Sequence, residues 1–95
     1  MISNLENKIK RDIVSLIKEE IKLKKLVDTG NMIKSIDADI TYVGGEMKIS
    51  VTGTDYFKYL NKKYDIIEDA FKRPKYKEVT KNIAKLYVEK LLKKN

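Results

Sequence analysis

Two runs of seven residues, "DADITYV" and "EMKISVT", stand on either side of Gly44-Gly45. No other feature restricts the fold as tightly. Alternation with a period of two is the pattern of half-buried strands, and a two-residue Gly-Gly loop joins such strands into an antiparallel hairpin. With that loop Val43 faces Glu46, Tyr42 faces Met47, Ile40 faces Ile49 and Ala38 faces Val51. The apolar pairs from Ala38 to Tyr42 therefore share one face. Asp37, Asp39, Thr41, Lys48, Ser50 and Thr52 collect on the other. A sheet with one apolar face needs a cover, and the remaining sequence has to supply it.

The cover is predicted to be helical. From Asn4 to Val27, Leu5, Ile9, Ile13, Leu16, Ile17 and Ile21 recur at spacings of three and four. Ser3 and Glu6 are placed as a capping box at its start. Val14, Leu23, Leu26 and Val27 widen the stripe, which suits packing on more than one neighbour. Glu20 falls inside that stripe by angle, so a bend or a drift of the stripe is expected there. A second helix is predicted from about Lys75 to Lys93, with Pro74 in its first turn. Its apolar positions are Tyr76, Val79, Ile83, Leu86, Tyr87 and Leu91, with the two tyrosines read as core.

Between these elements lie two shorter stretches. In "LVDTGNMIKSI" Asp28 or Thr29 can cap a new turn. Gly30 and Asn31 tolerate a left-handed backbone and are expected to end the long helix. Met32, Ile33 and Ile36 then point inward. After Gly53, "TDYFKYLNKKY" reads as a third strand or as a short helix capped by Asp55. The spacing of Tyr56, Leu60 and Tyr64 favours the helix. "DIIEDAF" places Asp65 and Glu68 as another capping box, with Ile67 and Phe71 four apart. The expected fold is one α+β domain over residues 1–95: a long N-terminal helix, an antiparallel hairpin or small sheet, a short helix, and a C-terminal helix packed on one sheet face.

Composition excludes several kinds of chemistry. There is no cysteine and no histidine, which removes disulfides, thiolate metal sites and the commonest general base. Ser35 and Ser50 lack a histidine to activate them. Asp37 and Asp39 stand two apart on one strand face without a third ligand of comparable promise, so no metal or other cofactor is expected. "TGNMIKS" lacks the spacing of a phosphate-binding loop. An enzyme is not expected. No run approaches the length of a membrane span or of a signal peptide's apolar region, so the chain is expected to be soluble, to have no membrane partner, and to be exported by no visible signal.

Charge is the remaining guide. Lys and Arg number 21 against 14 Asp and Glu, for a net charge of +7. Residues 1–27 carry +3, residues 28–61 carry −2 and residues 62–95 carry +6. Such asymmetry suits head-to-tail assembly, acidic edge to basic edge. It also suits presentation of Lys62, Lys63, Lys72, Arg73, Lys75, Lys77, Lys81 and Lys85 to phosphates or to an acidic partner. The lysines are not read as interleaved with exposed aromatics for base stacking.

The order of elements resembles that of the tail-completion or head–tail joining proteins of tailed bacteriophages. A Thr-Gly-(Asn/Asp)-Leu-x-x-Ser-Ile motif follows the first helix in that family. Thr29, Gly30, Asn31, Met32, Ser35 and Ile36 match it, with Met in place of Leu. Tyr56 and Tyr59-Leu60 look like its Tyr-rich segment, and Asp69 to Phe71 sit where its short Pro-Phe element belongs. The chain departs from the family after the tyrosines, where it reads "NKKYD" and not Glu-x-Gly-Thr, and it lacks the proline before Phe71. The resemblance spans residues 4–95 in order, and its one specific stretch is Thr29 to Ile36. It implies a structural virion protein, made in the bacterial host cytoplasm and built into the phage neck or tail. It further implies a homo-oligomeric ring around the DNA channel, portal, adaptor or tail-tube proteins as partners, and non-specific DNA contact. The alternative is a small nucleic-acid-binding module acting through the Lys-rich C-terminal third.

Overall fold

The computed structural model describes residues 4–26 and 30–92. Helix α1 (Asn4–Leu23) is followed by α2 (Gly30–Ser35), strands β1 (Asp37–Val43) and β2 (Glu46–Thr52), and helices α3 (Asp55–Tyr64), α4 (Ile66–Phe71) and α5 (Tyr76–Leu92). The α+β architecture expected from the sequence is the one observed.

The hairpin has the register that its alternation demands, from Asp37 opposite Thr52 to Val43 opposite Glu46. Gly44 and Gly45 take φ of 61° and 82°, left-handed values that glycine adopts without steric cost and that two-residue turns of this type need at both positions. Ala38 and Ile40 are buried, and Tyr42, Met47, Ile49 and Val51 are half-buried on the same face. Helix α1 lies against β1 on that face, and α5 packs on α1. α5 also reaches the turn end of the sheet. There the Tyr87 ring meets Tyr42 with centroids 5.9 Å apart, and its hydroxyl donates to the Gly45 carbonyl at 2.9 Å.

α1 stops earlier than its apolar pattern predicts. The Leu26 N–H donates to the Ile21 carbonyl at 3.2 Å and the Lys25 N–H to the Lys22 carbonyl at 3.0 Å. These are the paired bonds of a Schellman cap, with Leu26 folded back onto the core cluster. The left-handed residue of the cap is Lys25, at φ 55°. Gly30 and Asn31 do not end α1; they begin α2, and Gly30 is not left-handed. The cap's own geometry terminates the helix without a glycine. Leu23, expected in the apolar stripe, is exposed. Ser3, Val27, Asp28 and Thr29, with the caps assigned to them, lie outside the described residues, as does Lys93.

The stretch after Gly53 is the predicted helix, with a different cap. Thr54, not Asp55, caps α3: its backbone is extended (φ −65°, ψ 168°) and its hydroxyl accepts the Phe57 N–H. Phe57 then folds so close to Gly53 that a Cβ there would stand 2.7 Å from its ring. Asp65 is also not the side-chain cap of α4. Its left-handed backbone (φ 53°) closes α3, and the Asn61 side-chain oxygen accepts the Ile67 N–H at 2.8 Å. The turn between the helices uses Asp65 for its backbone, and its carboxylate makes no capping hydrogen bond to α4.

One cluster of buried residues runs through every element but β2, from Ile9 on α1 through Met32, Ile40, Phe57 and Ile66 to Leu86 on α5, with Met47, Ile49 and Val51 of β2 packed against it. α1 and α5 are antiparallel. Lys90 pairs with Glu6 at one end and Lys75 with Glu19 at the other. The molecule is elongated, 47 × 25 × 21 Å.

Candidate functional site

The segment that carries the resemblance is a structural junction. Met32 and Ile36 are buried in the core cluster, while Gly30 and Asn31 are exposed. Ser35 does the joining: its hydroxyl donates to the Met32 carbonyl at 2.6 Å and accepts the Thr54 N–H at 3.1 Å. One side chain thus ties α2, before the hairpin, to the cap of α3, after it. Both ends of the hairpin are held at one point. Thr29 lies outside the described residues.

The eight basic residues singled out by charge do not form one surface. Arg73 is paired with a buried acid: its Nε and Nη2 donate to the two carboxylate oxygens of Glu20 at 2.7 and 2.9 Å. At Glu20, where the stripe predicts a bend or a drift, the fold supplies this pairing, because a carboxylate pointing into an apolar stripe needs a cation brought to it. Glu20 is only 1% exposed. Lys24 stands 3.5 Å from the same carboxylate and hydrogen-bonds to Asp69. The Arg73 hydrogen bonds hold the Glu20 carboxyl below its ordinary pKa against the opposing effect of burial, and Lys24 does the same for Asp69. These bonds fasten the end of α1 to α4 and to the turn before α5. Lys72 and Lys75 are paired with Glu68 and Glu19 at the surface.

Lys77, Lys81 and Lys85 remain together. Their spacing of four puts them on one stripe of α5, and all three are exposed. Val88 and Leu92 continue the same stripe and are 52% and 75% exposed. Leu91, expected on the core side, is exposed as well.

Lys62 and Lys63 lie elsewhere, on α3, among exposed aromatics. Tyr56, Tyr59 and Tyr64 are each at least 40% exposed. The Lys63 ammonium lies 5.9 Å from the Tyr59 ring centroid and 5.4 Å from that of Tyr64, within cation–π range. This corrects the sequence reading, which saw no interleaving of lysines with exposed aromatics. Periodicity marked Tyr56 and Tyr64 as helical neighbours of Leu60 but did not reveal which flank Phe57 would take into the core. Tyr76 and Tyr87, read as core, are half-buried, Tyr76 stacked on Phe71 at 4.5 Å.

Among the described residues no group of three or more acidic side chains is gathered as a metal site. A groove of about 620 Å³ between α1 and the start of β1 is lined by Lys10, Arg11, Lys18 and Asp37, with Asn7 and Ser15. No helix among the described residues is long and apolar enough to cross a membrane. The chain has no match among family models, curated proteins or solved structures.

Proposed function

We propose that this protein is a structural subunit of a tailed bacteriophage. In this reading it is a member of a homo-oligomeric ring at the neck or tail-completion position, around the DNA channel, made in the host cytoplasm and incorporated into the virion. One observation carries the proposal. The residues that match the head–tail joining motif, above all Met32, Ser35 and Ile36, clamp α2 and both ends of the hairpin into one rigid junction. Such a junction fixes how the hairpin stands relative to the long helices. Rigid placement of surfaces is what a repeated subunit requires, since an angular error at each contact prevents a ring from closing. Deletion of the gene in a phage that carries it is expected to leave DNA-filled heads without joined tails. Normal yields of infectious, tailed particles would remove the proposal. Co-expression with portal, adaptor and tail-tube proteins of a phage that carries the gene identifies which of them it holds.

A second reading, binding of nucleic acid, is favoured by α3. Exposed tyrosine rings beside Lys58, Lys62 and Lys63 offer stacking surfaces and phosphate contacts together. The measurement is affinity for labelled single-stranded and duplex DNA across salt. Binding that falls steeply with salt, and that weakens in a Tyr56→Ala, Tyr59→Ala double variant, supports this reading. Binding unaffected by that double variant refutes the part assigned to α3.

A further inference from the structure

Two outer surfaces of this molecule match one another, and we infer that they meet between copies: the Lys77–Leu92 stripe of α5 in one copy lies on the polar face of the hairpin in the next. This deepens the subunit reading and rests on it. Three observations carry it.

The first is length. From Lys77 to Leu92 the helix runs about 22 Å at 1.5 Å per residue. The seven-residue strands run about 20 Å.

The second is pattern. The hairpin's outer face carries Val43, 77% exposed, beside Glu46 at its tip, and is acidic toward its base, at Asp39 and then Asp37. The outer stripe of α5 is apolar at its C-terminal end, at Leu92 and Val88, and basic toward its start, at Lys85, Lys81 and Lys77. Laid with the C-terminal end of α5 on the hairpin tip, Leu92 and Val88 meet Val43, and the lysines meet a face on which Asp37, Asp39 and Glu46 outnumber the one base, Lys48.

The third is vacancy on the receiving side. The sheet has two strands, with α1 and α5 of its own copy packed on the apolar face, while from α1 Lys10, Arg11 and Lys18 line the groove beside Asp37 at the base of the outer face. An α5 from a neighbouring copy would cover the other face and give the hairpin helices on both sides.

Some groups on these surfaces are already engaged or adverse. Asp39 stands 3.9 Å from Lys10 but remains 64% exposed. Lys48, opposite Thr41 on the outer face, is a cation where the incoming helix brings cations. The two surfaces belong to different parts of one chain, so the contact is heterologous and propagates from copy to copy, closing if the rotation allows it.

The test is the mass of the full chain in solution by sedimentation equilibrium over a range of concentrations. A mass that rises above one chain with concentration is expected. Lys81→Glu with Lys85→Glu should weaken association about tenfold or more, as should Asp37→Lys with Asp39→Lys, because like charges then face each other. All four changes in one chain should restore it. Lys48→Glu should tighten it, and this substitution leaves every pair within the copy intact. Far-UV circular dichroism and the urea midpoint of each variant establish that it is folded. A chain that stays single at millimolar concentration overturns the inference, as does a four-fold variant that stays dissociated or a Lys48→Glu variant that associates more weakly. The gene-deletion experiment is independent. A monomeric chain whose loss still uncouples heads from tails would end this contact and leave the neck reading standing.

Discussion

The Glu20–Arg73 pair should respond asymmetrically to loss of its two halves. Glu20 is 1% exposed and the Arg73 side chain 48% exposed. If Arg73 is replaced by leucine, the carboxylate stays buried with Lys24, 3.5 Å away and already shared with Asp69, as its nearest cation. If Glu20 is replaced by leucine, the guanidinium can turn to water, and the new side chain joins a stripe whose neighbours Leu16, Ile17 and Ile21 are buried. Exchanging a buried ionic group for an apolar one of similar size is often neutral or stabilising by about 1–4 kcal/mol. Glu20→Leu should therefore leave stability unchanged or raise it by about 1–3 kcal/mol, which for a domain of this size moves the thermal midpoint upward by about 4–8 °C per kcal/mol. Arg73→Leu should lower the midpoint clearly. Urea unfolding followed by circular dichroism at pH 7 reads both, with an unchanged m-value as the check that the two-state comparison holds. The acid limb supplies a second readout. The folded-state pKa of Glu20 is lowered, so the folded chain binds fewer protons there than the unfolded one. Its contribution is complete above its ordinary value of 4.5 and is lost as pH falls through the folded pKa. The Glu20→Leu variant should lose less stability in that window than the parent. If Glu20→Leu destabilises the protein more than Arg73→Leu does, the assignment of the cost to the buried carboxylate is wrong.

Three further outcomes follow from local geometry. Ser35→Ala removes the hydroxyl that accepts the Thr54 N–H and should cost about 1–2 kcal/mol in urea unfolding; an unchanged midpoint would show that the junction is held by packing alone. Lys25→Gly relieves a left-handed side-chain-bearing residue at the end of α1 and should stabilise by about 1 kcal/mol, read as a higher thermal midpoint. Tyr42→Phe removes a buried hydroxyl with no hydrogen-bond partner among the described residues, so it should be neutral or stabilising by up to about 1 kcal/mol; a loss of more than that would reveal a bonded hydroxyl.

The hairpin was fully legible in the sequence because its information is local. Alternation fixes which side chains share a face, and a two-residue loop leaves one register. The apolar stripes of α1 and α5 were legible for the same reason: period and angle are properties of neighbours in the chain. Glu20 was legible as an anomaly, since its angle placed a carboxylate in the core, but its partner lies 53 residues away and no local rule reaches that far. Helix ends were less legible. Gly30 looked like the terminator of α1, yet Lys25 serves, because the fold of Leu26 onto the core outweighs the steric cost of a left-handed lysine.

Charge was the least legible of all. The sequence by itself determined how many cations there are and that they gather toward the C-terminal end. Tertiary structure decided what each is for. It commits Arg73 to a buried acid, pairs Lys72 and Lys75 at the surface, sets Lys63 among tyrosines, and leaves Lys77, Lys81 and Lys85 in a stripe facing solvent. A charge acts over a few ångströms through space, and which groups stand that close depends on how the helices pack, not on their order in the chain.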